Sequence, residues 1–503
     1  MDTTKQELLI YERVLNKSYR QFDATLTEKS ALKFIDSIVN KPDEVARYRF
    51  LPFIVYTQNL NKYHRSKGYL RAHLKKKKRP ISLVAHHDAL IYVKYSEKLN
   101  YKYEQYLADN NIEHIPTAYR KSLHQSNIDA AKEVFDFIEK SNESWIIKGD
   151  FKGFFDNLRY STLRNNLCEV LDVDELSKDW NAVFKSLTRY RSVNSGELVE
   201  ALKKAGIKNN QERPYIDSRK EIKKLITKGG LRVHGPNQIG IPQGTSLSAV
   251  LANVYMINFD KKMDHIISKE MGLYRRYSDD FVIVIPKDKK SEFDIEELIN
   301  TVRTLSKKET KLEIEKHKTK TFNYNINNTN KIELRDETKN SRWFDYLGFI
   351  FNGDVVRIRD KSIYKFHYKS KKAINLFTRI ENDRDKIKRG TIPNPENKKE
   401  LVWKDNHKVF KSIHSRVKQE QFKKRIEHTK KNYNYNLTQT QLATKMYLIP
   451  RRYGEYYSMT GYAKRAQLIL SKESRYKVEV LEQIMNQIRK NQKYVHDIRK
   501  NNN

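Results

Sequence analysis

The apolar pattern is clearest around residues 273–285, where two β-prone segments flank a short polar tip. The first segment ends at Tyr277, and the second is an unbroken run of β-branched and aromatic residues at 281–285. Such segments predict strands, and the Ser-Asp-Asp tip between them predicts the turn of a β-hairpin. The hairpin would present Asp279 and Asp280 side by side at its end.

An amphipathic helix is predicted over residues 126–140, because apolar side chains recur there at helical spacing. These side chains are Ile128, Ala131, Val134, Phe135 and Ile138. Ser126 and Asp129 have the spacing of a capping box. A short β-prone run at 145–150 follows and ends on Asp150. Taken alone, Asp150 fits either a metal ligand at a strand end or a helix N-cap.

A loop and a helix are predicted further along the chain. The Gly-Ile-Pro-Gln-Gly segment at 240–244 must be a loop, because glycine and proline punctuate it. Thr245 or Ser246 can cap the apolar helix that follows. A glycine-rich turn lets the backbone approach a ligand closely, although an ordinary loop-to-helix junction has the same appearance.

The charge of the chain changes the picture. In 503 residues there are 99 Lys and Arg against 62 Asp and Glu, a formal net charge of +37. This excess indicates a polyanionic partner, most simply nucleic acid. No apolar run approaches the ~18 residues that a membrane span needs. The N-terminus lacks the layout of a signal peptide, and the single cysteine, Cys168, excludes an internal disulfide. A cytoplasmic location is therefore expected.

The two acids of the hairpin suggest a chemistry. Adjacent carboxylates repel each other and gain nothing from burial unless a cation lies between them. Oxygen ligands of this kind suit Mg²⁺. A solvated, Asp-rich turn is the alternative, because Asp is common in turns.

The order of these elements is more specific than any one of them. Asp150 at a strand end precedes the Gly-Ile-Pro-Gln-Gly loop, the Tyr-Ser-Asp-Asp hairpin, Lys318-Thr and Leu-Gly-Phe at 347–349. This series resembles the palm of bacterial reverse transcriptases of the retron and group II intron kind. The resemblance implies an α+β right-hand polymerase fold, with fingers and palm at 75–352 and a helical insertion at 157–235. A helical extension at 1–74 and a basic, α-helical thumb or C-terminal domain at 353–503 would flank it.

The resemblance also implies site residues. Asp150, Phe151, Asp279 and Asp280 would bind two Mg²⁺ ions, and Lys318 would protonate the leaving pyrophosphate. Incoming nucleotide would contact Arg79, Arg120, Phe155, Gln243 and Gly244, with Phe155 excluding a 2′-hydroxyl. The primer grip would comprise Tyr346, Leu347, Gly348 and Phe349. The expected partners are an RNA template, dNTPs and the DNA product. Self-association is a further expectation.

The layout with an added basic C-terminus is similar to that of the defence-associated reverse transcriptases, which act against phage. That similarity implies a dedicated non-coding RNA template. Priming by a C-terminal tyrosine stays open, with the candidates Tyr447, Tyr453, Tyr456, Tyr457, Tyr462 and Tyr494. Three alternatives remain: an RNA-dependent RNA polymerase, a catalytically silent RNA-binding scaffold, and a ribonuclease using Arg489 and His496.

Overall fold

The computed structural model describes residues 8–17, 19–64, 73–207, 214–287, 294–315, 317–335, 341–388, 446–449 and 458–500. The chain divides into two compact units. The first contains Met1–His124 and Ser144–Thr321, and the second contains Gln125–Glu143 and Phe322–Asn503. In the described ranges no helix is long and apolar enough to cross a membrane.

The helices are numbered in chain order. They are α1 (Glu12–Leu15), α2 (Glu28–Phe34), α3 (Pro42–Arg47), α4 (His86–Asp109), α5 (Asn127–Lys140), α6 (Tyr160–Leu171), α7 (Lys178–Thr188), α8 (Ser195–Lys204), α9 (Arg219–Thr227), α10 (Ser246–Val254), α11 (Ile257–Lys269), α12 (Ile295–Leu305), α13 (Asp360–Lys388), α14 (Met459–Ser471) and α15 (Val480–Lys500).

The strands follow the same convention. They are β1 (Phe53–His64), β2 (His73–Leu83), β3 (Glu143–Asp150), β4 (Ser192–Asn194), β5 (Leu273–Tyr277), β6 (Asp280–Pro286), β7 (Lys320–Asn325), β8 (Ile332–Leu334), β9 (Phe344–Tyr346), β10 (Phe349–Phe351), β11 (Val355–Ile358) and β12 (Lys477–Val478).

The centre of the first unit is an antiparallel sheet in the order β5-β6-β3. The predicted hairpin is confirmed, because β5 and β6 pair directly across the Ser278-Asp279 turn. The run at 281–285 is buried throughout, which explains its unbroken apolar character. Helices α4, α10 and α11 contribute to the same hydrophobic core. The two acids are therefore held at the end of a buried, rigid ribbon.

Gly149 lets β3 pack closely against β6. It lies opposite Phe281 in the sheet, and a Cβ atom at Gly149 would lie 2.1 Å from the Phe281 ring. The ring is 1% exposed, so it has no free space into which it could move. A side chain at Gly149 would therefore displace the strand that carries Asp150.

The N-terminal region differs from the prediction of a helical extension at 1–74. Helices α1, α2 and α3 are short, and residues 53–64 form strand β1 instead. β1 pairs antiparallel with β2 and parallel with β4. Its first residues, Phe53-Ile-Val-Tyr, are aromatic and β-branched, and Phe53 and Ile54 are buried. Tertiary pairing with β2 and β4 therefore prevails over the charged, helix-like composition around it.

The insertion at 157–235 is mostly helical, as predicted, and contains α6 to α9 with the short strand β4. Apolar residues of α8, α9 and β4 form a second small core with Phe22 and Ile54. The insertion closes with a turn in which Gly230 has a φ of +68°.

The second unit combines helix α5 with a four-stranded sheet in the order β12-β11-β10-β9. The predicted capping box is present, since Ile128 N donates to the Ser126 hydroxyl and Ser126 N donates to Asp129. Phe135 of α5 packs against Phe344 and Phe351 of the sheet. Basic helices α13, α14 and α15 complete the described part of this unit, in agreement with the helical C-terminus expected from sequence.

Candidate active site

The sheet brings the three acids to one end of neighbouring strands. Asp150 is the last residue of β3 and lies directly opposite Asp280, the first residue of β6. Asp279 occupies the turn before Asp280, and its carbonyl accepts a hydrogen bond of 3.1 Å from the Phe151 amide. Sequence order alone could not establish this register.

The acids repel one another. The pKa of Asp279 is raised above its ordinary value, first by burial and then by the negative charge of Asp150. Lys318 supplies the compensating charge, with its ammonium 2.5 Å from Asp150 Oδ2. That hydrogen bond is also the main reason why the pKa of Lys318 is raised. The structure therefore places Lys318 directly at the acid cluster.

The position of Lys318 follows from a short backbone pairing. Glu315 N donates to the Asp150 carbonyl at 2.8 Å, and Lys152 N donates to the Glu313 carbonyl at 2.8 Å. A turn then begins at Glu315, whose carbonyl accepts from Lys318 N at 3.0 Å. The backbone pairing of residues 150–152 with residues 313–315 therefore fixes the position of the turn that carries Lys318.

The residues present suit a divalent cation. Among the described residues, no three or more His, Cys, Asp or Glu side chains are already gathered as a metal site. One oxygen of Asp150 is instead bonded to Lys318. Neighbouring carboxylates, one of which (Asp279) has a raised pKa, are nevertheless the donor set that a hard cation such as Mg²⁺ stabilises. The donor chemistry therefore fits the expected ion.

The Gly-Ile-Pro-Gln-Gly loop lies against the turn that follows Asp150. Ile241 N donates to the Phe155 carbonyl at 2.9 Å. Gln243 follows Ile241 by two residues and therefore lies near the Phe155 segment. Gly244 has a φ of +124°, and a Cβ there would lie 2.8 Å from the Ser82 carbonyl oxygen of β2. Phe155 and Gln243 are each half-buried, so part of each side chain is accessible. Three of the predicted nucleotide residues, Phe155, Gln243 and Gly244, thus lie in or against one loop.

The two candidate arginines differ in their surroundings. Arg79 is exposed on β2, three residues before Ser82, on the strand that touches Gly244. Arg120 is buried, and its guanidinium is paired with Glu104 and donates to the carbonyls of Glu113 and Pro116. These contacts occupy Arg120 in holding a loop, so the structure does not place it for binding a triphosphate. The side chains of Lys75 to Lys78 lie outside the described residues.

The segment predicted as a primer grip is a tight hairpin in the second unit. Tyr346 and Phe349 are buried and pair across a turn in which Leu347 and Gly348 have φ values of +46° and +100°. The Leu347 carbonyl accepts a hydrogen bond of 2.9 Å from Asn127. The hairpin is thus a preformed, rigid turn.

The candidate tyrosines of the C-terminal region are partly described. Tyr462 accepts a hydrogen bond from Asn127 and stacks on Phe349, while the hydroxyl of Tyr494 donates to Asn375. Burial raises the pKa of Tyr447. Three further candidates, Tyr453, Tyr456 and Tyr457, lie outside the described residues.

Sequence reasoning missed two residues beneath the acid turn. Arg276 and Asp260 form a fully buried ion pair, with relative exposures of 0% and 1% for their side chains. Neither residue is among the site residues predicted from the sequence, where Arg276 is one of two adjacent arginines before Tyr277. The available signal was a pair of arginines, Arg275 and Arg276, in a short strand that is otherwise made of Leu and Tyr, because a charge in a buried strand is unusual unless it is paired.

The antiparallel sheet with its acids at a hairpin tip, together with the surrounding helices, defines an α+β protein of the right-hand polymerase fold. The sequence model of the family described as reverse transcriptase (RNA-dependent DNA polymerase) matches residues 67–351, more than half of the chain. The chain therefore belongs to the reverse transcriptase family. Comparison with curated proteins gave no match.

Among solved structures, the chain is similar to apo telomerase from Candida tropicalis truncated from its C-terminal domain, with 12% identity and a TM-score of 0.37. It is also similar to telomerase from Candida albicans in complex with a fragment of telomeric RNA, with 13% identity and a TM-score of 0.33. The matches cover 64% and 66% of this chain but only 59% and 49% of those chains. Similarity at this level shows neither a shared activity nor shared partners.

Proposed function

We propose that this protein is an RNA-directed DNA polymerase that joins dNTPs by phosphoryl transfer. The observation that carries the proposal is the register of the palm sheet, which pairs Asp150 with Asp280 and places Asp279 in the turn beside them. In a chain of the reverse transcriptase family, this is the arrangement that the reaction requires. Phosphoryl transfer needs positioning and charge neutralisation more than a side-chain nucleophile.

Asp150, Asp279, Asp280 and the carbonyl of Phe151 would hold two Mg²⁺ ions. When bound, the ions stabilise the attacking and leaving oxygens of the displacement. The protein prepares the site by crowding carboxylates that gain from a cation, as the raised pKa of Asp279 indicates. The Lys318 ammonium, held beside Asp150, would be the group that protonates the leaving pyrophosphate.

The nucleotide would lie along the 240–244 loop. Gly244 brings the backbone close to β2, and Gln243 would contact the base and sugar from that loop. Phe155 would lie under the sugar and exclude a 2′-hydroxyl, while the exposed Arg79 would contact the triphosphate. We leave Arg120 out of this proposed site because its guanidinium is buried against Glu104.

The hairpin with Tyr346, Leu347, Gly348 and Phe349 is the proposed primer grip. Its positive-φ turn holds the backbone in a fixed conformation, which suits contact with a primer strand. The excess of 99 Lys and Arg over 62 Asp and Glu supports RNA as the template partner.

Three finer parts of the proposal rest on the resemblance to defence-associated enzymes. They are a dedicated non-coding RNA template, a role against phage, and priming on a tyrosine. Sequencing of the RNA that purifies with the protein tests the first, and phage plating with and without the gene tests the second. A protease-dependent change in the gel mobility of labelled product tests the third.

The central experiment measures incorporation of labelled dNTPs and NTPs by protein purified with its own nucleic acid, and by the same protein on a primed RNA homopolymer, in Mg²⁺. Asp279→Asn should abolish incorporation. Asp264→Asn is a matched control, because the Asp264 carboxylate pairs with His114 and is not one of the three acids of the proposed site. Incorporation of NTPs in place of dNTPs would make the protein an RNA polymerase. RNA binding without any incorporation would favour the scaffold alternative.

A further inference from the structure

A buried ion pair lies directly beneath the aspartate turn. Arg276 of β5 and Asp260 of α11 are both withdrawn from solvent. Nε of Arg276 is 2.9 and 3.1 Å from the two oxygens of Asp260, and Nη2 is 2.6 Å from Oδ2. This is a bidentate ion pair, which requires the planar guanidinium of arginine.

The remaining nitrogen of the same guanidinium holds the turn itself. Nη1 of Arg276 donates to the Ser278 carbonyl at 3.1 Å and to Asn253 Oδ1 at 3.1 Å. Ser278 has a φ of +61°, which residues other than glycine rarely adopt. The carbonyl that Arg276 binds belongs to the peptide between Ser278 and Asp279. The orientation of this peptide therefore sets the direction in which the Asp279 side chain points.

The strand is also fixed from its other side at this residue. Arg276 N donates to the Ile115 carbonyl at 2.9 Å, and Thr117 N donates to the Arg276 carbonyl at 2.9 Å. Asn253 adds a link of its own, donating to the Ala118 carbonyl at 2.8 Å. Both the backbone and the side chain of Arg276 are thus immobilised, so its Nη1 is a stationary donor.

Stability alone does not account for this arrangement. Burying two charges is costly, and well-packed apolar residues in the same volume stabilise a core as well or better. A buried pair is therefore best explained by a requirement for a defined geometry. Here that geometry is the conformation of the turn that carries Asp279.

We propose that Arg276, oriented by Asp260 and Asn253, is a positioning residue that holds the Ser278–Asp279 peptide and so aims the Asp279 carboxylate. The inference deepens the proposed polymerase function and rests on it for its catalytic consequence. Its structural consequence, an ordered turn, is measurable without any activity.

The test compares Arg276→Lys with Tyr274→Phe in the full-length protein. Lysine can still pair with Asp260, but its single nitrogen cannot also reach Asn253 and Ser278 in the same geometry. Tyr274→Phe is the matched control. The Tyr274 hydroxyl donates to the same Asp260 at 2.8 Å and is equally buried, yet it does not touch the turn.

Two measurements are made on both variants. Hydrogen exchange followed by mass spectrometry reports the order of peptides that cover residues 277–281. Single-turnover incorporation separates the maximal rate from the dNTP concentration dependence. We expect Arg276→Lys to exchange faster in these peptides and to lose about ten- to a hundredfold in rate, with the dNTP dependence unchanged. Tyr274→Phe should match the wild type in both.

Equal exchange and equal rates in the two variants would overturn the proposal and reduce the ion pair to a core contact. If Arg276→Lys does not fold, Arg276→Met combined with Asp260→Asn removes both charges and keeps an acceptor for Tyr274. This pair of changes should give the same loosened turn. If the wild type incorporates no nucleotide at all, the polymerase proposal fails, whereas the exchange comparison still decides whether Arg276 orders the turn.

Discussion

Replacing Gly244 with alanine tests whether the 240–244 loop positions the nucleotide. Gly244 has a φ of +124°, in a region that alanine adopts only under strain. Residues held in such regions cost about 1–3 kcal/mol. The new Cβ would also lie 2.8 Å from the Ser82 carbonyl oxygen, a backbone atom that cannot rotate away. The loop must then move by roughly half an ångström or more from β2, in proportion to this overlap.

The expected result is a change in stability and in catalysis together. Strain and overlap should lower the free energy of unfolding by about 2–4 kcal/mol. A displaced Gln243 should lower kcat/KM for dNTPs on the order of ten- to a hundredfold, which corresponds to about 1.4–2.7 kcal/mol of transition-state stabilisation. Steady-state incorporation at varied dNTP concentration, with thermal unfolding of the same samples, measures both.

Gly230→Ala provides the control for strain alone. Gly230 has a φ of +68°, but nothing lies within 4 Å of a Cβ built there. The Gly230→Ala variant should lose about 1–2 kcal/mol of stability and keep the wild-type kcat/KM for dNTPs. The reasoning is refuted if Gly244→Ala keeps the wild-type kcat/KM and loses no more stability than Gly230→Ala.

Three further predictions follow from the same structure. Phe155→Val should reduce discrimination against ribonucleotides at least about tenfold in competition assays; unchanged sugar selection would mean that Phe155 is not the gate. Lys318→Met and Lys318→Arg should each lower the single-turnover rate about a hundredfold if proton donation is the role, whereas an active Lys318→Arg would indicate that charge alone suffices. Asp88 is buried, accepts hydrogen bonds of 2.9 Å from Tyr48 and from the Leu51 amide, and has a pKa raised to about 7, chiefly by burial. Folded Asp88 therefore keeps its proton at pH values where the unfolded chain has lost it. Relative to Asp88→Asn, the wild type should lose up to about 1.4 kcal/mol of stability per pH unit between about pH 4 and pH 7, and none above. Urea unfolding at pH 5, 6, 7 and 8 measures this, and parallel profiles for the two proteins would contradict it.

Local patterns predicted much of the fold. The hairpin of β5 and β6 follows from two apolar runs around a polar tip, and helix α5 follows from apolar spacing and the Ser126–Asp129 capping box. Strand β1 was not predicted, because its neighbours are charged and its pairing partners are distant in sequence. The assignments of site residues and the domain boundaries stay predictions.

The contrast between Arg120 and Lys318 shows why roles are harder to predict than elements. Both are basic residues to which the resemblance to the family gave a role in the site. Arg120 is buried and pairs with Glu104, which belongs to helix α4. Lys318 instead pairs with Asp150 at the end of strand β3. A basic side chain is several ångströms long and flexible, so its partner depends on which elements lie near it. Sequence spacing carries no such information.

The sequence by itself determined the class of the protein, the Tyr-Ser-Asp-Asp hairpin, the helix caps and the basic character of the chain. The hairpin and the caps depend on residues within a few positions of one another, where propensity and spacing act directly, whereas the class follows from the order of such motifs and the basic character from composition. Only the tertiary structure decided that Asp150 lies opposite Asp280, that Lys318 pairs with Asp150, and that Arg276 is buried beneath the turn. Strand register, burial and ion pairing join residues far apart in the chain, so the packing of the whole fold sets them.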